Sequence, residues 1–198
     1  MKYYDLCPHS SRAVNWILFR DQMPEDIIEV RPLYADMACP RCRKLDERAA
    51  IRRGIEPQVR IKASKDFTIT DDNFNCLSRR AQDVLETAGV KGLGCIKMPG
   101  DKKYSIIMPE CVVKVDRECW SKCFEYGKPC EECGRPSEMT GLPSLECFTP
   151  PEDPWMVFTT DLVQDSGYAA SQAVYVSEVV RDVIKRLKLS GLAPFWEL

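Results

Sequence analysis

The sequence predicts an α+β fold of two similar subdomains, each a small antiparallel sheet with one packed helix, joined through a zinc-ribbon-like four-cysteine site. Three observations lead there. Two Cys-x-x-Cys pairs stand far apart, Cys39/Cys42 and Cys130/Cys133. A helix-like segment recurs, SRRAQDVLETAGVKGL at 78–93 matching SEVVRDVIKRLKLSGL at 177–192 with an offset of 99 residues. A segment of strand character precedes each copy. With 198 residues, 44% of them hydrophobic and 29% charged, the chain is long enough for a real core. The halves divide at residues 1–115 and 116–198, and one compact unit is expected.

In chain order, the first knuckle, Cys39/Cys42, encloses Pro40 and is followed by Arg43, where a ribbon would place glycine. Phe67 to Thr70 reads as a strand. Ser78 is placed to cap a helix whose apolar residues Ala81, Val84, Leu85 and Ala88 fall at i, i+3, i+4 and i+7. Gly92 then turns the chain. Tyr104 to Met108 and Val112 to Val115 are short strands separated by Pro109 and Glu110, consistent with a hairpin or strand-turn-strand. The second knuckle, Cys130/Cys133, is followed by Gly134, whose freedom at positive φ lets backbone N–H groups turn toward sulfur. The proline-rich stretch Pro143 to Pro154 suits neither helix nor central strand and is expected as an extended surface loop. Ala173 to Val176, AVYV, is the second strand. Ser177 caps the second helix, with Val180, Val183, Ile184 and Leu187 on one face and a turn at Gly191. Trp120 and Trp155 are anchors for a core or for an interface.

Two Cys-x-x-Cys pairs suit one tetrahedral zinc ion with ligands Cys39, Cys42, Cys130 and Cys133. Four thiolates leave no open coordination position, so such an ion is structural. A redox pair on a thioredoxin-like scaffold and ordinary buried thiols are the competing readings. The remaining cysteines, Cys7, Cys76, Cys95, Cys111, Cys119, Cys123 and Cys147, bring the total to eleven, and an odd count cannot be fully paired within one chain. Cys119, Cys123 and the single His9 are alternative ligands, with small buried thiols and a surface imidazole as the plainer interpretation. Met1 to Ser10 is polar, and Val14 to Phe19 is too short for a signal-peptide core, so a reducing cytoplasm is expected. No run approaches the roughly 20 apolar residues of a membrane span.

The net charge of −2 hides an asymmetry. Between Ser137 and Val180 there is no Lys or Arg, while Glu138, Glu146, Glu152, Asp153, Asp161, Asp165 and Glu178 contribute seven negative charges, leaving +5 on the rest. Such a face repels nucleic acid and steers basic partners, unless it is simply a solvated surface. The opposite bias surrounds the first knuckle, with Arg41, Arg43, Lys44, Arg48, Arg52 and Arg53, and is the argument for a zinc-ribbon nucleic-acid binder. Against it stand a sequence pI near 5.6 and the lack of aromatics among those arginines. There is no Gly-rich phosphate loop and no Gly-x-Ser-x-Gly elbow, and one histidine near a terminus expected to be mobile gives acid–base chemistry little to work with. No enzyme is expected; redox work by Cys130/Cys133 is the one catalytic option.

Taken together, the distant knuckles, KPCEECGRP at 128–136, the serine-led helix ending AGVKGL and the terminal VSEVVRDVIKRLKLSGLAPFWEL resemble the double-CXXCG motif proteins, associated with the swarming-inhibition immunity proteins of myxobacteria. The resemblance spans residues 39–198 and is strongest at the second knuckle and in the last 38 residues. Cys39, Cys42, Cys130, Cys133 and Gly134 match the double motif, and Arg43 departs from its glycine. The resemblance implies a cytoplasmic antidote that binds and neutralises a cognate toxin domain from a sibling cell, with no catalytic residues. A toxin acting on nucleic acid would present a basic cleft, for which Glu146, Glu152, Asp153, Asp161 and Asp165 are the candidate contacts. Neither membrane nor nucleic acid is expected as a partner.

Overall fold

The computed structural model describes residues 1–8, 17–19, 29–122, 124–137, 139–141, 144–162, 164–166 and 169–198, with the side chains of 124, 125, 140, 141, 164–166 and 169–171 excepted. The chain opens with strand β1 (Tyr3–Asp5), a 3-10 turn (Pro32–Met37), α1 (Glu47–Arg53), β2 (Phe67–Ile69), β3 (Asn75–Ser78), α2 (Arg79–Thr87), β4 (Ile96–Lys97) and β5 (Tyr104–Ile106). It continues through β6 (Cys111–Val113), α3 (Arg117–Ser121), β7 (Phe124–Tyr126), β8 (Met139–Gly141), a 3-10 turn (Leu145–Cys147) and β9 (Phe158–Thr160). Strands β10 (Gln164–Ser166), β11 (Ala169–Ser171) and β12 (Tyr175–Ser177), helix α4 (Glu178–Arg186) and β13 (Trp196–Glu197) complete it. The class is mixed α+β, as expected.

Among the described residues the strands form three sheets, of order β2-β3-β5-β4, β13-β1-β12-β9-β6 and β11-β10-β8-β7. The first two present their helix-bearing strands in the same register. Ser78 lies opposite Tyr104 on β5, and Ser177 lies opposite Tyr3 on β1. Ile96 pairs Ile106 on the outer side of β5, and Trp196 pairs Asp5 on the outer side of β1.

Both serine caps form as the spacing predicts: Ser78 accepts from the Ala81 N–H at 3.1 Å and Ser177 from the Val180 N–H at 3.3 Å. Each replaces a hydrogen bond the first helical turn cannot make internally. The helix ends match as well. Val90 N–H donates to Leu85 O at 3.0 Å and Leu189 N–H to Ile184 O at 3.2 Å, the six-to-one bond of a Schellman motif. The residue in the left-handed region is Gly89 (φ 92) in one and Lys188 (φ 52) in the other.

Ala81 and Leu85 of α2 and Val180, Val183 and Ile184 of α4 share one core, in which both helices bury their apolar stripes. The two glycine turns lock the same interface. A Cβ on Gly92 would meet Val157 O at 2.6 Å, and one on Gly191 would meet Phe67 O at 2.1 Å. Glycine permits these approaches, across which Lys91 N–H donates to Trp155 O and Phe67 N–H to Ser190 O, both at 2.9 Å.

Several expectations need correction. The amino terminus is not a mobile tail: β1 lies inside a sheet between β13 and β12. Its side chains alternate, Tyr3 entering the core around Trp120 and Tyr4 the helical core, so the strand is covered on both faces. A short run with a polar third residue gave no periodicity long enough to register this. β5 and β6 do not form a hairpin. They belong to different sheets, and β6 runs parallel to β9. Because β1 and β6 share a sheet with β9, β12 and β13, the segments before and after residue 115 interleave. Within the proline-rich stretch, Cys147 and Phe148 are buried in the core that holds Trp120, because a 3-10 turn folds this part of the loop inward. Trp120 is a core anchor and Trp155 packs on the edge of the helical core.

Candidate metal centre

Each knuckle is built by its backbone. Arg43 N–H donates to Cys39 O at 2.9 Å and Cys39 N–H to Lys44 O at 2.9 Å. Gly134 N–H donates to Cys130 O at 2.8 Å and Cys130 N–H to Arg135 O at 2.7 Å. Arg43 takes φ 62 and Gly134 φ 71, so the arginine adopts the conformation usually left to glycine and the first loop keeps the geometry of the second.

The loops face each other. Sγ of Cys39 and Sγ of Cys130 are 3.9 Å apart, those of Cys42 and Cys133 3.5 Å, and all four sulfurs lie within 4.8 Å of one another. An ion at about 2.3 Å from four sulfurs in tetrahedral array sets them about 3.8 Å apart. The four cysteines are therefore positioned to hold one metal ion, with spacing compatible with zinc. Contacts around the sulfurs hold the loops together. Arg41 pairs with Glu131 across the exposed rim. Lys44, buried beside the first loop, donates from Nζ to Pro136 O at 2.9 Å and Ser137 O at 2.6 Å beyond the second.

The donor set has the chemistry of a cation site. The Cys133 N–H and then the Glu132 N–H, turned toward Cys130, hold its thiol down to about 6. The Cys42 N–H, with that of Arg41, lowers Cys39 against the opposing effect of desolvation. Burial pushes Cys42 up to about 12. Sulfurs this close favour thiolate at some positions and resist it at others, a conflict that a divalent cation removes by neutralising them together.

The alternative ligands fall away or lie elsewhere. Cys119 is disulfide-bonded to Cys147, a pairing the reading of these residues as free thiols missed, since nothing in their spacing marks it. The bond joins α3 to the 3-10 turn and closes the base of the excursion that presents the second knuckle. His9 and Cys123 lie outside the described residues, as does Glu138 of the acidic run. Cys76 is fully buried, and Cys95 is pushed up to about 12 by burial, so both are packing residues.

The acidic candidates do not gather into one site. Glu146 and Glu152 are exposed. Asp153 pairs with Lys91 at 2.8 Å, and that hydrogen bond first, then the Trp155 N–H, holds its carboxyl below the ordinary range. Asp161 accepts from Val115 N–H at 3.0 Å and from Arg117 at 2.9 Å. Asp165 is in β10, its side chain outside the described set. Cations from other parts of the chain thus meet part of the lysine- and arginine-free run.

Four of the six members of the basic cluster are engaged in the same way. Arg41 and Lys44 serve the knuckles, Arg53 pairs with Asp36, and Arg48 donates to Gln172 Oε1 at 2.7 Å and Pro109 O at 3.1 Å. Among the described residues, no helix is long and apolar enough to cross a membrane. Compared with known proteins, the chain matches no family model, no curated protein and no solved structure.

Proposed function

We propose that the chain is an antidote: an immunity protein that captures and neutralises a cognate toxin domain, using one zinc ion as a structural cross-link. The convergence of four sulfurs from two distant loops is the observation that supports it. Zinc held there by Cys39, Cys42, Cys130 and Cys133 would fix the relative position of both loops and offer no vacant position to a substrate. A rigid surface suits capture better than reaction. The toxin-neutralising role itself rests on the resemblance at residues 128–136 and 176–198. Internal use of Arg41, Lys44, Arg48 and Arg53 favours it over the nucleic-acid reading, and the exposed Glu146 and Glu152 remain to meet a basic cleft.

Co-purification with the toxin domain encoded by the adjacent upstream gene should yield a tight, salt-sensitive complex, and Glu146→Lys with Glu152→Lys should weaken it at least tenfold. No complex, together with strong salt-sensitive shifting of DNA or RNA in a gel, would overturn the assignment in favour of the ribbon reading.

We further read the two similar halves as copies of one unit, on the strength of the shared register, caps and glycine turns. If so, glycine should be accepted where one copy has it and the other does not. Arg43→Gly and Lys188→Gly relieve a left-handed conformation costing about 1 kcal/mol, offset by the chain entropy of glycine. Each should melt at the parental temperature or up to about 4 °C higher. Gly134→Ala, whose Cβ would meet nothing within 4 Å, isolates the φ cost and should melt lower. Destabilisation by both glycine substitutions would count against equivalence.

A further inference from the structure

Beside the metal centre, between α1, the β5–β6 connection and the segment following the second knuckle, lies a cavity of about 460 Å³ that no role above uses. This is the size of a small-molecule site. Its walls include Leu45, Phe74, Ile107, Met108 and Pro136, an apolar surface, while four cations line it: Lys44, whose Nζ donates to Pro136 O and Ser137 O, Arg48 and Arg52 from α1, and Arg135. We propose that this cavity binds a small organic anion, a phosphate or carboxylate head on an apolar body that also bears a hydrogen-bond donor. The inference is independent of the antidote reading.

Charge supports the head group. Arg52 and Arg135 form no ion pair among the described residues, and Arg48 meets only neutral acceptors, Gln172 Oε1 and Pro109 O. Those bonds use two of the five N–H groups a guanidinium offers. Burial, and then the neighbouring Arg52 charge, disfavour the Arg48 cation, with Asp46 acting in its favour. Of the three lining carboxylates, Asp46 caps α1 through the Ala49 N–H at 2.9 Å, and Asp161 is taken by Val115 and Arg117. Glu47 stands at the first residue of α1. The arginines thus form a cationic wall that carboxylates of the chain do not fully answer, and an anion would bridge it by charge-assisted bonds.

Asn75 supports the donor. It lines the cavity from β3, is 8% exposed, and its Oδ1 has no hydrogen-bond partner. A buried acceptor left unpaired costs roughly 1–3 kcal/mol, which a ligand N–H or O–H would recover. Phe74, its neighbour in sequence, supplies an aromatic surface against which a ring can lie.

Isothermal titration of the metal-loaded protein tests this with adenosine monophosphate and 4-hydroxybenzoate as probes and inorganic phosphate as the headgroup alone. Saturable one-to-one binding of at least one organic probe is expected, stronger than that of inorganic phosphate. Binding by the nucleotide alone assigns a phosphate head, and by the benzoate alone a carboxylate. Arg52→Glu and Arg135→Glu, which come from separate segments and alter partly or fully exposed side chains, should each weaken binding at least tenfold without changing the melting temperature. Asn75→Ala should weaken the organic probe while sparing phosphate. Failure of both probes to bind at about 5 mM, weaker than a millimolar site, or binding indifferent to both arginine reversals, overturns the proposal.

Discussion

Cys133→Ser is expected to abolish metal binding and to lower stability by at least about 3 kcal/mol, a fall of roughly 6–12 °C in melting temperature for a chain of this length. Cys133 is exposed, so the substitution leaves little cavity behind and its effect reports loss of the ion. The apparent stabilisation by structural zinc in isolated finger peptides is larger, about 10–16 kcal/mol. Here three buried clusters are built from residues other than the four ligands, and the Lys44 and Arg41 contacts also join the loops. The expected product is a loosened native state rather than an unfolded chain. Adding Cys39→Ser to Cys133→Ser should cost little beyond the packing of Cys39, because the ion has already gone; this non-additivity separates a shared ion from four independent thiols. Metal analysis should give one equivalent of zinc in the parent and none in the variant. A parent without metal, or a metal-free variant melting like the parent, would end the structural-zinc interpretation.

Legibility of the sequence followed the range over which each determinant acts. Ser78 and Ser177 cap helices through a hydrogen bond three residues away, and both were readable. The ligand set was readable because two-residue spacing is a local property of each knuckle, although only the fold brings the sulfurs within 4.8 Å. The N-terminal strand was not, since three residues carry no measurable period and their partners, β12 and β13, lie at the other end of the chain. Charge misled for the same reason. Arg48, Arg53 and Lys44 look like one basic patch along the chain, yet each side chain finds a separate acceptor that sequence proximity does not disclose. The Cys119–Cys147 bond likewise spans 28 residues with no motif to announce it.

Asp5→Asn is expected to stabilise the protein at neutral pH. Asp5 sits on β1 between Tyr175 of β12 and Trp196 of β13, and burial pushes its carboxyl up to about 6. No hydrogen bond to its carboxylate offsets that desolvation among the described residues, while the facing Tyr175 hydroxyl is itself buried without a partner. Burial, with a smaller contribution from the Asp5 charge, also pushes the Tyr175 phenol upward. In the unfolded chain an aspartate titrates near 3.9, so between about pH 4 and 6 the folded state binds the proton more tightly. The carboxyl therefore contributes no penalty below about pH 4, an increasing one as pH rises through 6, and the full penalty at pH 7. Roughly two pKa units correspond to about 2–3 kcal/mol, which the neutral amide avoids. The difference in unfolding free energy between Asp5→Asn and the parent, measured in urea from pH 4 to 8, should grow with pH and level off above about 7. Asp72, fully buried and raised to about 6 by desolvation against the Leu18 and Ile17 N–H groups, titrates in both proteins and cancels in the difference. A gain that is the same at pH 4 and pH 8 would mean that the amide packs better, and that the charge of Asp5 costs the fold nothing.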